Sequence, residues 1–170
     1  MSPEAVAAAA TLARLNGELN ADRSAMGARA DEVRELLADW GQRSSDRAQL
    51  ALAAVALHAW YTALETLLER VARTIDRTVP GGNRSHAELL SQMMVEIPGV
   101  RPAVLKRACE SSLIALLSFR HFFRHAYAVE LDPLRLEAEL RRVDSIEPKI
   151  SQSLAEFEAF LNAAIMASNA

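Results

Sequence analysis

Residues 50–75 read LALAAVALHAWYTALETLLERVARTI, and the spacing of their apolar side chains decides the fold class. Apolar residues recur at intervals of three and four, which places them on one face of an α-helix. This stripe consists of Leu50, Ala54, Leu57, Tyr61, Leu64, Leu68, Val71 and Ile75. The run Val79-Pro80-Gly81-Gly82-Asn83 ends the pattern, because proline and glycine interrupt regular structure. The stretch therefore predicts one long helix with a broad buried side.

The composition of the whole chain also favours helices over strands. Its 170 residues include 32 Ala and 23 Leu against 10 Val and 6 Ile, with only 6 Gly and 6 Pro. Alanine and leucine are strong helix formers, whereas β-branched residues favour strands. A chain of this length is typical of one domain. We therefore expect residues 1–170 to form a single all-α domain, an antiparallel bundle of about five to six helices.

Start and stop signals place the remaining helices. Ser2-Pro3 starts a first helix of about 38 residues, with the heptad line Leu12, Leu19, Met26, Val33 and Trp40, and Gly41–Ser45 follows it as a loop. Ser85-His86-Ala87-Glu88 has the spacing of a capping box and predicts a short helix to about Val95. Further helices are predicted from about Pro102 to Tyr127, from Asp132-Pro133, and from about Ile146 to Ala167, and residues 97–102 are predicted to form a turn.

Several features favour a cytoplasmic protein without a membrane span. The single cysteine, Cys109, excludes an internal disulfide, and the N-terminal residues do not resemble a secretory signal. The longest charge-free apolar run, Leu50 to Leu57, is too short to cross a bilayer. A net charge of -3 argues against a protein that coats nucleic acid, since such proteins need a broad basic face.

The net charge hides one basic segment. Residues 101–127 carry five basic residues and one acidic residue, and acidic segments lie on both sides. Because successive helical residues are rotated by about 100°, one arc of the predicted helix carries polar side chains and the opposite arc carries phenylalanines. The polar set is Arg120, His121, Arg124, His125 and Tyr127, and the apolar set is Phe119, Phe122 and Phe123.

This polar arc has the chemistry of a phosphate site. Arginine offers a planar fork to phosphate oxygens, and histidine transfers protons near neutral pH. Together they suffice for cleavage of RNA through its own 2'-hydroxyl, without a metal. The alternative is an exposed helix face that is solvated or paired with acids such as Glu130 and Asp132. Upstream, Leu113, Ile114 and Leu117 predict a second contact surface on the same helix.

The segment Arg120 to Tyr127, RHFFRHAY, resembles the RxxxxHxY motif of HepT-type toxins, which belong to the HEPN group of helical ribonucleases. The resemblance covers about residues 45–165, and residues 1–44 add little to it. Its other landmarks are residues 58–65, Ser85-His86, Leu89-Leu90 and Asp132-Pro133.

The resemblance implies a metal-independent endoribonuclease toxin of a type VII-like toxin–antitoxin pair, with no cofactor. It would cleave its RNA substrate in a composite cleft of a homodimer. Arg120 and His125 would be the catalytic pair, and His121 and Arg124 would position the substrate. Arg120 and His125 lie about 140° apart on one helix, so a two-fold related helix would complete the site, with Leu113, Ile114 and Leu117 helping to bury the contact.

The resemblance also implies a partner. A minimal nucleotidyltransferase (MNT-type) antitoxin would transfer AMP to Tyr127, and the added bulk and negative charge would then cover the basic site. The alternative function is a non-catalytic helical HEPN module that binds a nucleotidyltransferase partner or a nucleotide.

Three residues outside the RxxxxHxY motif have a structural interpretation, and two within it raise the question of a metal site. Glu65 lies in a polar strip beside the apolar stripe of the second helix, which usually marks the edge of a core, although Glu65 could instead orient a catalytic arginine or histidine. We expect His86 to be a surface residue at a helix start and Cys109 to be an apolar core residue. His121 and His125 have the spacing of a helical metal pair, but the neighbouring arginines repel cations, so no metal site is expected.

Overall fold

The computed structural model describes residues 3–43, 46–125 and 131–169, and in these ranges it is helical with no strand. The helices are α1 (Pro3–Ala38), the single turn α2 (Trp40–Arg43), α3 (Arg47–Val71), α4 (Ser85–Met93), α5 (Glu110–His125) and α6 (Pro133–Asn169). A π-helical stretch, Ala72–Asp76, extends α3, and a 3-10 turn, Arg107–Cys109, precedes α5. The predicted all-α bundle is confirmed.

Cross-helix side-chain contacts show that α1 runs antiparallel to both α3 and α6. Early in α1, Asn16 bonds Asn162 near the end of α6, whereas Arg34 late in α1 reaches Asp144 and Glu147 in the first half of α6. Arg70 near the end of α3 contacts Glu18 and Asp22 near the middle of α1, and residues 49–56 at the start of α3 line a groove with residues 32–39 around the end of α1. The long helices α1, α3 and α6 therefore pack together, with α1 in contact with both of the others.

The apolar stripes predicted from the sequence form the core. The α3 stripe is buried from Leu50 to Val71, and Ile75 packs against it with part of its side chain exposed. On α1 the buried residues include Leu15, Leu19, Met26 and Val33, and Trp40 at the start of α2 is buried as well. Cys109 is buried as predicted. The hydrophobic effect across these facing stripes supplies the main stabilisation.

One described helical stretch, Arg47–Asp76, is long and apolar enough to cross a membrane by length and composition. More than half of its most apolar window, 56%, is buried inside the bundle. That burial is the behaviour expected of the central helix of a core.

Residues 41–43 of the predicted loop Gly41–Ser45 are helical and belong to α2. Three further predictions of local structure are wrong. The helix predicted from Pro102 begins only at Glu110, because the N–H groups of Val104 and Leu105 both donate to the Met93 carbonyl, at 2.8 and 3.1 Å. These bonds hold the backbone in a non-helical path while both side chains enter the core. The capping box also fails, since the N-cap residue is Arg84 and it makes no side-chain cap bond.

The third error concerns α6, which was predicted as two helices and is continuous through Pro148. Proline removes one backbone hydrogen bond, but Pro148 lies on the exposed side of the helix. The buried stripe continues on both sides of it, with Val143 and Ile146 before and Ile150 after. Packing against α1 therefore outweighs the local cost. The start of α6 is as predicted, since the N–H of Leu134 donates to the Asp132 side chain at 2.9 Å.

A buried ion pair fixes the connection between α4 and α5. Arg101 Nε donates to Asp76 Oδ1 at 2.6 Å and its Nη2 donates to Oδ2 at 2.7 Å. The remaining Arg101 donors reach the carbonyls of Gln92, Val95 and Pro102. Burial alone would raise the Asp76 pKa, but the bonds from Arg101 and Gln92 outweigh it and hold that pKa below its ordinary value. Arg101 lies at the end of the predicted turn, where Gly99 has a φ of 74°.

Replacing Arg101 should therefore destabilise the fold. Arg101→Met leaves the Asp76 carboxylate buried without its partner, and we expect the free energy of unfolding to fall by about 3–5 kcal/mol. Arg107→Met is the matched control, because Arg107 is exposed and pairs with Glu110 at 3.8 Å, and it should cost less than about 1 kcal/mol. Urea unfolding measures both. Equal stability of the two variants would contradict this role for Arg101.

Candidate active site

The inward face of α5 includes the arginine of the predicted motif. Leu113, Leu116, Phe119 and Arg120 are all buried, and Arg120 is only 8% exposed. Leu113 is two helical turns before Arg120, so by helical register both side chains point to the same side of the helix. The prediction that Leu113 helps to bury a dimer contact is therefore wrong, since Leu113 is a core residue of its own chain. Leu117 is partly buried, and Ile114 is exposed.

Arg120 is held by α3. Its Nη2 lies 2.8 Å from Glu65 Oε2, and its guanidinium carbon lies 5.7 Å from the centre of the Tyr61 ring. Tyr61 and Glu65 are one turn apart on α3, so a carboxylate and an aromatic face meet the same cation. From the sequence, Glu130 and Asp132 are candidate acidic partners of the basic segment. Glu130 lies outside the described residues. For Arg120 the acidic partner is Glu65.

Glu65 also binds a residue of α4. Its second carboxylate oxygen, Oε1, makes a hydrogen bond with Nδ1 of His86. Glu65 is 7% exposed, whereas the His86 side chain is 38% exposed. One buried carboxylate therefore joins the motif arginine of α5 to a partly exposed imidazole of α4.

Aromatic side chains surround the same end of α5. Phe119 stacks on Phe123 with ring centres 6.3 Å apart, and Phe123 contacts His58 of α3 at 6.0 Å. Arg135 of α6 lies 4.5 Å above the centre of the Phe122 ring. The phenylalanine side of α5 thus packs towards α3 and α6, and the sequence predicted this side as the one that faces the core. Arg135 is a further cation at this end of α5, and it was not identified from the sequence.

The other predicted site residues are placed only in part. His121 is exposed on α5. Arg124 and His125 occupy the last turn of α5, and their side chains lie outside the described part of the structure, as does the whole of Tyr127. The structure therefore unites Arg120 with Tyr61, Glu65 and His86, and it does not test the proposed pairing of Arg120 with His125.

The contacts of Glu65 agree with the alternative interpretation from the sequence, in which it orients an arginine or a histidine, rather than with a core-edge residue. The interpretation of His86 as a surface residue at a helix start did not predict its bond to Glu65. The signal was an acid, Glu65, on the long apolar stretch of α3, where Glu69 is the second acid. Among the described residues no three His, Cys, Asp or Glu side chains are grouped so as to hold a metal ion.

The environment of Tyr61 suppresses its ionisation. Burial raises the pKa of the Tyr61 hydroxyl far above its ordinary value of 10.0, and the charge of Glu65 raises it further, while Arg120 partly opposes both. Because the folded-state pKa is raised, the contribution of Tyr61 to stability is complete below pH 10 and declines above it.

Tyr61 should therefore stay protonated as long as the protein is folded. The chain has two tyrosines, so Tyr127→Phe leaves Tyr61 as the only one. In this variant we expect no tyrosinate absorbance near pH 10 until alkaline unfolding, which circular dichroism follows in parallel. The urea-unfolded variant is the control and should titrate near the ordinary value. Tyrosinate absorbance in the folded protein near pH 10 would contradict the geometry around Glu65.

Comparison with known proteins identifies the family. The chain matches no curated protein and no solved structure. Residues 52–161 match the family model described as HepT-like protein. The matched range begins within α3 and ends within α6, so it contains Tyr61, Glu65, His86 and Arg120 and covers more than half of the chain. The chain therefore belongs to the HepT-like family.

Proposed function

We propose that this protein is a metal-independent endoribonuclease of the HEPN type and the toxin of a toxin–antitoxin pair. One observation carries the proposal. The arginine of the RxxxxHxY motif, Arg120, is fixed by a buried carboxylate at 2.8 Å in a chain of the HepT-like family. A buried, oriented guanidinium is suited to stabilise the charge that develops on a phosphate during transfer.

The proposed reaction needs only groups of this chain and of RNA. The 2'-oxygen attacks the adjacent phosphorus and its proton passes to a general base, His125. The bond from phosphorus to the 5'-oxygen breaks, and that oxygen takes a proton from protonated His125, which acts as general acid and leaves a cyclic phosphate on one product. Arg120 stabilises the negative charge on the five-coordinate phosphate, and His121 and Arg124 position the RNA. DNA is not a substrate, because it lacks the 2'-hydroxyl.

A homodimer is part of the proposal. Arg120 and His125 are about 140° apart by helical register, so one α5 helix does not readily direct both at one phosphate. A two-fold related α5 would supply the missing group. Ile114 and His121 are exposed on α5 and Leu117 is partly buried, so these side chains are where a second copy would make contact.

The proposal also includes neutralisation of the toxin by a nucleotidyltransferase antitoxin. In this proposal the antitoxin transfers AMP to Tyr127, two residues beyond His125. The phosphate of AMP carries negative charge next to a basic segment, so it would compete with the RNA backbone for the same cations.

The second candidate function is a non-catalytic HEPN module that binds a nucleotidyltransferase partner or a nucleotide. The burial of Arg120 favours it, because a side chain that is 8% exposed and already paired offers little of its guanidinium to RNA in a single chain. In this alternative the basic segment holds phosphate without cleaving RNA.

Cleavage assays with purified protein distinguish the two functions. Wild-type protein should cleave tRNA or mRNA in the presence of a metal chelator and leave cyclic phosphate ends. Arg120→Ala and His125→Ala should each lose about 10²-fold or more in rate, the usual contribution of a proton-transfer or charge-stabilising group. Arg107→Ala removes an exposed arginine just before α5 and should keep full activity. Equal nicking by all four proteins would reject the enzymatic function.

Mass spectrometry tests the modification. Coexpression with the product of an adjacent nucleotidyltransferase gene should add the mass of AMP to wild-type protein and abolish RNA cleavage. Tyr127→Phe should remain unmodified, while Tyr61→Phe should still be modified, because Tyr61 is buried. An unmodified wild-type protein beside a transferase that is active on another substrate would contradict this part of the proposal.

A further inference from the structure

Among the described residues, the two buried arginines, Arg101 and Arg120, differ in how completely their donors are satisfied. All three guanidinium nitrogens of Arg101 are hydrogen-bonded to protein oxygens. Arg120 pairs with Glu65 through Nη2, whereas its Nε is buried and has no hydrogen-bond partner among the described residues. Buried donors are nearly always paired, so an unpaired one needs an explanation. Arg101 has the bonding of a purely structural arginine, and Arg120 does not.

Glu65 is the second unusual feature. A buried carboxylate is costly unless its charge and its lone pairs are satisfied. Glu65 meets this requirement with groups from two different helices, Arg120 of α5 and His86 of α4. Because both contacts use the same carboxylate, any movement of Glu65 changes the guanidinium and the imidazole together.

His86 differs from a core histidine in its exposure. Its Nδ1 is held by Glu65, yet 38% of the side chain is open to solvent. A carboxylate bonded to one imidazole nitrogen fixes the orientation of the ring, which leaves the other nitrogen for a further partner. Glu65 therefore connects the partly exposed imidazole of His86 to the guanidinium of Arg120.

We propose that Glu65 is the positioning residue of the active site and that His86 is an additional substrate-binding residue, which donates a hydrogen bond from Nε2–H to an RNA phosphate when both ring nitrogens carry a hydrogen. This inference rests on the proposed ribonuclease function. Glu65 acts through its two partners and does not touch RNA. Its carboxylate holds the Arg120 guanidinium in the orientation needed at the phosphate that reacts. The same carboxylate directs Nε2 of His86 outwards to a phosphate oxygen.

The two roles give different kinetic signatures. Glu65→Gln removes the charge that orients Arg120, and we expect kcat for cleavage of a short RNA to fall about 10²-fold, as for a small misplacement of a catalytic group. Affinity for a 2'-O-methyl RNA, which cannot be cleaved, should change by less than about threefold. His86→Gln removes one phosphate contact, and we expect it to weaken binding of that analogue about tenfold, the loss of one hydrogen bond to a charged group.

Two further variants separate positioning from a merely structural role. Glu69→Gln is the matched control, one turn further along α3, where the side chain is exposed and lies 3.8 Å from Arg73. It should leave kcat and affinity unchanged. Glu65→Asp keeps the charge and should recover part of the lost kcat. Rates are referred to the folded fraction, measured by thermal unfolding, so that loss of stability does not count as loss of catalysis.

The outcomes are distinguishable. If wild-type protein cleaves RNA while Glu65→Gln and His86→Gln match it in kcat and affinity, the inference is wrong and the proposed function stands. If Glu65→Gln lowers only the stability, with unchanged kcat per folded molecule, Glu65 is structural and the inference is again wrong. If wild-type protein does not cleave RNA, the proposed function fails and the inference fails with it. The inference is supported if Glu65→Gln lowers kcat with little change in affinity and His86→Gln weakens binding of the uncleavable RNA.

Discussion

The Glu65 carboxylate holds the three inner helices in one arrangement. It lies on α3, it bonds the guanidinium of Arg120 on α5, and it bonds the imidazole of His86 on α4. In a low-dielectric interior such contacts are strong. They also fix the relative positions of Arg120 and His86, because both are bound by the same carboxylate. The long α1 and α6 helices supply most of the surrounding bundle. They keep α3 in place, and α3 in turn sets the position of the motif arginine.

Comparison with the other buried ion pair clarifies what this arrangement does. The pair of Asp76 and Arg101 closes the turn between α4 and α5 and leaves no arginine donor free. The pair of Glu65 and Arg120 leaves the Arg120 Nε without a partner among the described residues. The first pair therefore has the complete bonding of a structural ion pair. In the second pair, a phosphate or another oxygen ligand could accept a hydrogen bond from Nε of Arg120. We attribute the cost in stability of this unpaired donor to function.

The sequence was sufficient for the helices that carry continuous stripes. The α3 stripe from Leu50 to Val71 and the heptad residues of α1 predicted which sides are buried, because helical period and burial are directly linked. It was not sufficient where distant segments compete with local preference. The non-helical path at Val104 and Leu105 depends on the Met93 carbonyl. The continuity of α6 through Pro148 depends on packing against α1. The ion pair of Glu65 with Arg120 joins residues far apart in the sequence, and no local pattern specifies that register. Motif spacing located Arg120, but only the packed bundle shows that it is buried.

A double-mutant cycle on the cleavage rate tests most directly whether Glu65 acts through Arg120. The rate constants needed are those of wild-type protein, Glu65→Gln, Arg120→Ala and the double variant, each corrected to the folded fraction. If Glu65 serves to hold Arg120, the Glu65 substitution has little further effect once Arg120 is absent, and the double variant cleaves RNA as slowly as Arg120→Ala alone. If the two losses multiply, the residues act independently, and the Glu65 carboxylate is not what positions the motif arginine.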